Sequence, residues 1–87
     1  MTRQDELKKR AAAAAVDRLE SGMVVGLGTG STSRFALERI SERIRKGGLE
    51  RIVGIPSSLQ TEKAARALGI PLTDFEAHPQ IDITIDG

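Results

Sequence analysis

A glycine-rich segment, residues 26–32 with the sequence GLGTGST, lies between two stretches of different periodicity. Residues 23–28 form a short apolar run without alternation, which is typical of a strand buried on both faces. Residues 31–46 carry apolar side chains at helical spacing. A tight strand-to-helix turn of this kind strongly restricts the possible folds, and it favours a layered α/β protein.

The same alternation continues along the chain. A capping-box spacing at Thr2 and Asp5 opens a first helix that ends near Gly22. Further strands are predicted over residues 51–55, 70–74 and 81–86, with a third helix between the first two of them. We therefore predict one α/β domain over residues 1–87. Its fold is a Rossmann-like layered open sheet, mostly parallel, with about four strands and three helices. The rule that open α/β sheets bind ligands where the winding reverses further places the first strand in the centre.

The composition excludes several classes of protein. Thirteen basic residues balance twelve acidic ones, and no basic stripe is interleaved with aromatic residues, so we expect no nucleic-acid partner. The basic run from Arg39 to Lys46 is interpreted as a solvated helix face. With no cysteine and one histidine, the chain offers no disulfide framework and no metal site. No apolar stretch approaches the ~20 residues of a membrane span, and the N-terminus is charged, so we expect a cytoplasmic protein with no membrane partner.

The GLGTGST segment has the context of a phosphate-binding loop. Glycines let the backbone approach an anion closely, and the first N–H groups of the following helix are unpaired. A dinucleotide fingerprint would need glycine or alanine at Ser31, and a nucleotide P-loop would need lysine after Gly30. A hydroxyl-rich phosphate cradle for a small ligand remains. The structural alternative is a plain turn in which Ser31 or Thr29 caps the helix.

Two further places carry candidate residues. Ser57 and Ser58 follow the second strand and either face the ligand or, through Ser57 and Gln60, form a capping box. Asp82 lies at the start of the last predicted strand, where a structural role is expected. Asp86 lies at its carboxyl end, where ligands of open α/β sheets bind.

Several motifs in order resemble the A-type ribose-5-phosphate isomerases. They are G-T-G-S-T at residues 28–32, S-S with T-E-K at 57–63, L-G-I at 68–70, and a strand closing on D-G at 86–87. D-E-L-K-K at residues 5–9 is also similar, so the resemblance extends over nearly the whole chain. It implies interconversion of ribose 5-phosphate and ribulose 5-phosphate through an enediolate, with no metal and no cofactor.

The resemblance also implies roles for individual residues. Residues 29–32 match the family's substrate-binding loop, and residues 86–87 match the first half of its D-G-A-D motif, with Asp86 as the candidate catalytic residue. Together with the candidates from the sequence itself, the predicted substrate-binding set is Gly28, Thr29, Gly30, Ser31, Thr32, Ser57, Ser58, Asp86 and Gly87.

The family's second aspartate, its K-G-G-G segment, with the catalytic lysine, and its glutamate base are absent from this sequence. We therefore expect the N-terminal portion of an isomerase, which binds phosphate weakly and does not isomerise. An open sheet edge invites pairing with a second copy, so a homodimer is a possible assembly. A non-catalytic sugar-phosphate sensor domain and a minimal α/β folding fragment are the alternatives.

Overall fold

The computed structural model describes residues 2–85 as helices and strands in alternation. The elements are α1 (Arg3–Val16), β1 (Val24–Leu27), α2 (Ser31–Arg45), β2 (Val53–Pro56), α3 (Leu59–Ala67) and β3 (Ile83–Ile85). The strands form one parallel sheet in the order β2-β1-β3. The α/β class, the parallel sheet and the central position of the first strand are confirmed.

Two of the helices begin at side-chain caps. The Thr2 hydroxyl accepts a hydrogen bond from the Asp5 backbone N–H at 3.1 Å, which confirms the predicted start of α1. At α3 the Ser58 hydroxyl accepts from the Thr61 N–H at 3.2 Å, so the cap is Ser58 and the predicted capping box at Ser57 is wrong. No helix within residues 2–85 is long and apolar enough to cross a membrane.

The hydrophobic core lies between one face of the sheet and the helices. Neighbours in a parallel register share a face, and Leu27 of β1 is paired with Ile85 of β3. Both side chains are buried in one cluster with Val16 of α1 and Ile40 of α2. The core contains no buried aromatic side chain among its described members, in keeping with a composition of only two phenylalanines.

The predicted strand at residues 70–74 is wrong. Only Leu72 forms a bridge, parallel to Gly54 of β2. Pro71 has no N–H to donate, although its carbonyl accepts from the Gly54 N–H at 2.9 Å. Three residues after Pro71, the Asp74 carboxylate accepts from two following backbone N–H groups at 3.0 Å, which turns the chain. The sheet therefore has three strands and a single bridging residue at this edge.

Candidate phosphate-binding site

The loop between β1 and α2 lies at the carboxyl end of the central strand. Because β1 has β2 on one side and β3 on the other, the loop sits where the winding of the sheet reverses, which is where open α/β sheets bind ligands. Gly30 closes the loop with φ 118° and ψ 171°. This conformation is accessible almost only to glycine, so the sequence requirement at this position has a direct cause in the backbone.

The N-terminus of α2 differs from those of the other two helices. No side chain caps it within the described residues, so the alternative in which Ser31 or Thr29 is the cap is wrong. Its first turn also contains no acidic residue, whereas α1 has Asp5 and Glu6 there and α3 has Glu62. The first-turn N–H groups therefore keep the positive end of the helix dipole uncompensated, which favours an anion.

A cleft of about 580 Å³ opens between α2 and α3 beside this N-terminus. Its volume is within the roughly 300–1,000 Å³ of small-molecule sites. Arg34 of α2 and Lys63 of α3 both line it, and no described carboxylate does. The lining residues are Gly28, Thr29, Gly30, Ser31, Arg34, Leu37, Gln60, Thr61, Lys63 and Ala64. The loop and the two cations thus face one space suited to a negatively charged ligand.

The structure brings the loop together with the residues that follow β2. The Thr29 hydroxyl lies 3.1 Å from both the Ser57 and the Ser58 hydroxyls. Thr61 joins the group from the first turn of α3, and its hydroxyl donates to the Gly28 carbonyl at 3.3 Å. In the sequence, Thr61 is recognisable only as part of the T-E-K motif. Its position three residues after Ser58 is the spacing between a helix cap and the N–H that it binds, and this spacing could have predicted that Thr61 lies beside the cap.

Backbone hydrogen bonds fix the loop to both neighbouring strands. The Gly28 N–H donates to the Ile85 carbonyl of β3 at 2.8 Å. On the other side, the Ser57 N–H donates to the Leu27 carbonyl at 2.9 Å. The entry to the loop is therefore held from β2 and β3 together, and its geometry is set by the sheet as well as by the loop sequence.

Of the two candidate aspartates, the structure describes Asp82 and not Asp86. Asp82 accepts from the Val24 N–H through its carboxylate at 2.7 Å, at the end of β1 away from the loop, in agreement with the structural role expected for it. Asp86 and Gly87 lie outside the described residues. Among residues 2–85, no group of three or more acidic, histidine or cysteine side chains is arranged to hold a metal ion.

Comparisons with known proteins agree with the predicted resemblance. The family model described as ribose 5-phosphate isomerase A (phosphoriboisomerase A) matches residues 53–87. The chain is similar to ribose-5-phosphate isomerase A of Desulfatibacillum aliphaticivorans, with 62% identity over the whole chain and 38% of the relative. It therefore spans little more than a third of the length of this relative.

Solved structures are similar over the same part of the chain. The ribose 5-phosphate isomerase from Plasmodium falciparum superposes with a TM-score of 0.92 at 55% identity, over 95% of this chain and 36% of that one. A D-ribose-5-phosphate isomerase in complex with phospho-erythronic acid gives a TM-score of 0.92 at 37% identity, also over 95% and 36%. Both matches confirm the Rossmann-like α/β fold.

Proposed function

Because this chain belongs to the A-type ribose-5-phosphate isomerase family, we propose that it is the sugar-phosphate-binding portion of such an isomerase. The phosphate of ribose 5-phosphate is held at the loop formed by residues 28–32. One observation carries the proposal: the N-terminus of α2 has neither a side-chain cap nor an acidic first-turn residue, and it faces a cleft lined by two cations.

The anion is bound chiefly by the backbone. Gly30 allows the chain to turn so that the first N–H groups of α2 converge on the phosphate. Ser31 lines the cleft beside them, whereas Thr32 is not among its lining residues. A helix N-terminus stabilises a negative charge by about 0.3–1 kcal/mol when exposed and up to about 2 kcal/mol when partly buried. Arg34 and Lys63 add positive potential across the cleft.

The ligand class is supported by a structural relative. The isomerase that superposes with a TM-score of 0.92 was solved in complex with phospho-erythronic acid, whose name indicates a phosphorylated sugar acid. A ligand of this class presents a phosphate to a cradle and hydroxyls to its surroundings. In this proposal Asp86 and Gly87, which follow β3 in the sequence, contribute to substrate binding, with Asp86 as the catalytic candidate.

Isomerisation needs more than this chain supplies. Moving a proton between neighbouring carbons through an enediolate needs a positioned base, which contributes about 10²–10⁴-fold to the rate. No described carboxylate lines the cleft, and the family's glutamate base has no counterpart in the sequence. The isolated 87-residue chain therefore binds sugar phosphate without converting it. Isomerase turnover that rises in proportion to the amount of pure chain would overturn this part of the proposal.

Calorimetric titration of ribose 5-phosphate tests the binding site through a pair of glycine variants. Gly30→Ala and Gly47→Ala each place a side chain at a positive φ, 118° and 78°, and each destabilises the fold by about 1 kcal/mol or more. We expect wild type to bind at about millimolar strength. Binding is lost in Gly30→Ala and retained in Gly47→Ala, which lies far along the chain at the end of α2. Equal binding by the two variants would contradict the site.

The proposal includes self-association through the sheet. Within residues 2–85, no strand pairs with the outer edge of β3, which leaves its backbone groups available to a second copy. A sedimentation-velocity series over protein concentration tests this part separately. A single monomer boundary at every concentration would rule it out and would leave the binding proposal intact.

A further inference from the structure

Four hydroxyls lie behind the loop and form a hydrogen-bonded cluster, those of Thr29, Ser57, Ser58 and Thr61. The donor and the acceptor of each hydrogen bond in this cluster can be assigned. Each hydroxyl has one proton, and a carbonyl can only accept. Thr61 donates to the Gly28 carbonyl at 3.3 Å, so its oxygen accepts from the Ser58 hydroxyl at 3.0 Å. Ser58 has then used its proton, so Thr29 is the donor in its 3.1 Å contact with Ser58. By the same count, Ser57 donates to Thr29 at 3.1 Å.

This assignment limits what the cluster offers to a ligand. Ser58 also accepts from the Thr61 backbone N–H at 3.2 Å, so its donor and both of its lone pairs are engaged. Thr29 has no proton left for an anion, and an exposed lone pair on its oxygen would repel one. The protons of Ser57 and Ser58 are also directed inward. The side-chain donors left to the loop are the hydroxyls of Ser31 and Thr32.

We propose that Thr61 is a positioning residue that, through Ser58 and Thr29, holds the loop in the conformation that binds phosphate. Thr61 is only 5% exposed and lies in the first turn of α3, while the loop precedes α2. Its hydroxyl therefore joins the first turn of α3 to the loop between β1 and α2, at the Gly28 carbonyl. In this arrangement Thr29, Ser57 and Ser58 act on the ligand indirectly, by fixing the backbone N–H groups. The inference rests on the proposed phosphate site.

The test removes the hydroxyl without changing the volume. Thr61→Val breaks the series of hydrogen bonds that links Ser58, Thr61 and Gly28, and it leaves the Gly28 carbonyl without its hydroxyl donor. We expect binding of ribose 5-phosphate and of inorganic phosphate to weaken about fivefold to tenfold, since the hydroxyl's bonds to the Gly28 carbonyl and to the Ser58 hydroxyl are both removed. Thr61→Ser keeps the hydroxyl and restores binding to within about twofold. A merely structural role for Thr61 would destabilise the fold and leave the affinity of the folded chain unchanged.

A matched control separates positioning from general loss of stability. Ser41 is also buried, and its hydroxyl donates to the Leu68 carbonyl at 2.6 Å, away from the loop. Ser41→Ala therefore loses a buried hydrogen bond of the same kind, and its phosphate affinity is expected to equal that of wild type. An equal loss of affinity in Ser41→Ala and Thr61→Val would overturn the proposal.

A double-mutant cycle decides how Thr29 acts. If Thr29 works through the cluster, Thr29→Val and Thr61→Val together weaken binding no more than the stronger single variant. If Thr29 donates directly to the phosphate, the two losses multiply, and its assignment as an indirect residue is wrong. Thr29 is exposed, so Thr29→Val is expected to fold. It therefore provides a second variant that disrupts the cluster if Thr61→Val does not fold.

Amide hydrogen exchange gives a readout that does not depend on binding. The Gly28 N–H is bonded to the Ile85 carbonyl, and its exchange is expected to accelerate in Thr61→Val and Thr29→Val but not in Ser41→Ala. Absence of binding by wild type would refute the proposed function and, with it, the effect of Thr61 on binding, whereas faster exchange at Gly28 in the cluster variants would still show that Thr61 holds the loop. Unchanged exchange at Gly28 in both cluster variants would refute the positioning role alone, even if wild type binds phosphate.

Discussion

At the scale of single residues, Asp82 ties the start of the last strand to the central one. Its carboxylate accepts from the Val24 N–H at 2.7 Å, and its own N–H donates to the Val24 carbonyl at 2.9 Å. Asp82→Ala should lower the free energy of unfolding by about 1–3 kcal/mol, because the Val24 N–H loses a charged acceptor. Asp82→Asn keeps an oxygen acceptor and should cost less. Urea unfolding measures both, and an unchanged midpoint for Asp82→Ala would contradict this role.

The roles of some single residues could be predicted from the sequence, and the roles of others could not. The structural role of Asp82 was predicted from its place at the start of a strand, and the need for glycines in the loop from the GLGTGST motif. The cap at Ser58 was assigned to Ser57, because the two adjacent serines differ only in the exact residue at which the helix begins. The role of Thr61 depends on contacts about thirty residues away along the chain, with Gly28 and Thr29, which local spacing does not reveal.

At the scale of elements, α1 and α2 are joined by Arg43. The basic run that includes it was interpreted as a solvated helix face, yet the Arg43 guanidinium donates to the Val16 carbonyl at the end of α1 at 3.0 Å. The same carbonyl also accepts from the Leu19 N–H at 2.9 Å. Arg43 therefore adds a second, charged donor and places a cation at the negative end of the dipole of α1.

Arginine substitutions on α2 test this link. Arg43→Ala should destabilise the chain by about 1–2 kcal/mol, since it removes a charged hydrogen bond between two helices. Arg39→Ala should change stability by less than about 0.5 kcal/mol, because its contact with Glu42, at 3.7 Å, is an exposed pair on one helix. Thermal unfolding followed by circular dichroism gives both values. Equal effects of the two substitutions would show that the contact with α1 contributes nothing.

Elements were predicted best where the pattern was long. The first two helices were identified from helical periodicity, and β1 from a short apolar run without alternation. The first helix ends at Val16 rather than near Gly22. The prediction of a strand at residues 70–74 is wrong because Pro71 and the turn at Asp74 limit pairing to Leu72. Apolar composition alone could not show that these two residues leave room for only one bridge.

At the scale of the whole molecule, the two faces of the sheet are unequally covered. Helices pack on the face that carries Leu27 and Ile85. The other face carries Gly26, whose added Cβ would lie 2.8 Å from the Thr84 hydroxyl oxygen. A groove of about 230 Å³ there is bordered by Phe75, which is 59% exposed. A parallel sheet is usually buried on both faces, so the stability margin of the isolated chain is expected to be thin.

We propose that the loop of residues 28–32 is a phosphate cradle that is already formed before the ligand binds. Amide NMR shifts during titration of ribose 5-phosphate into the ¹⁵N-labelled chain, with unphosphorylated ribose as the control, test it most directly. We expect saturable shifts concentrated on residues 28–32 with ribose 5-phosphate and none with ribose. A well-dispersed spectrum with no shifts, or shifts concentrated elsewhere on the chain, would contradict it.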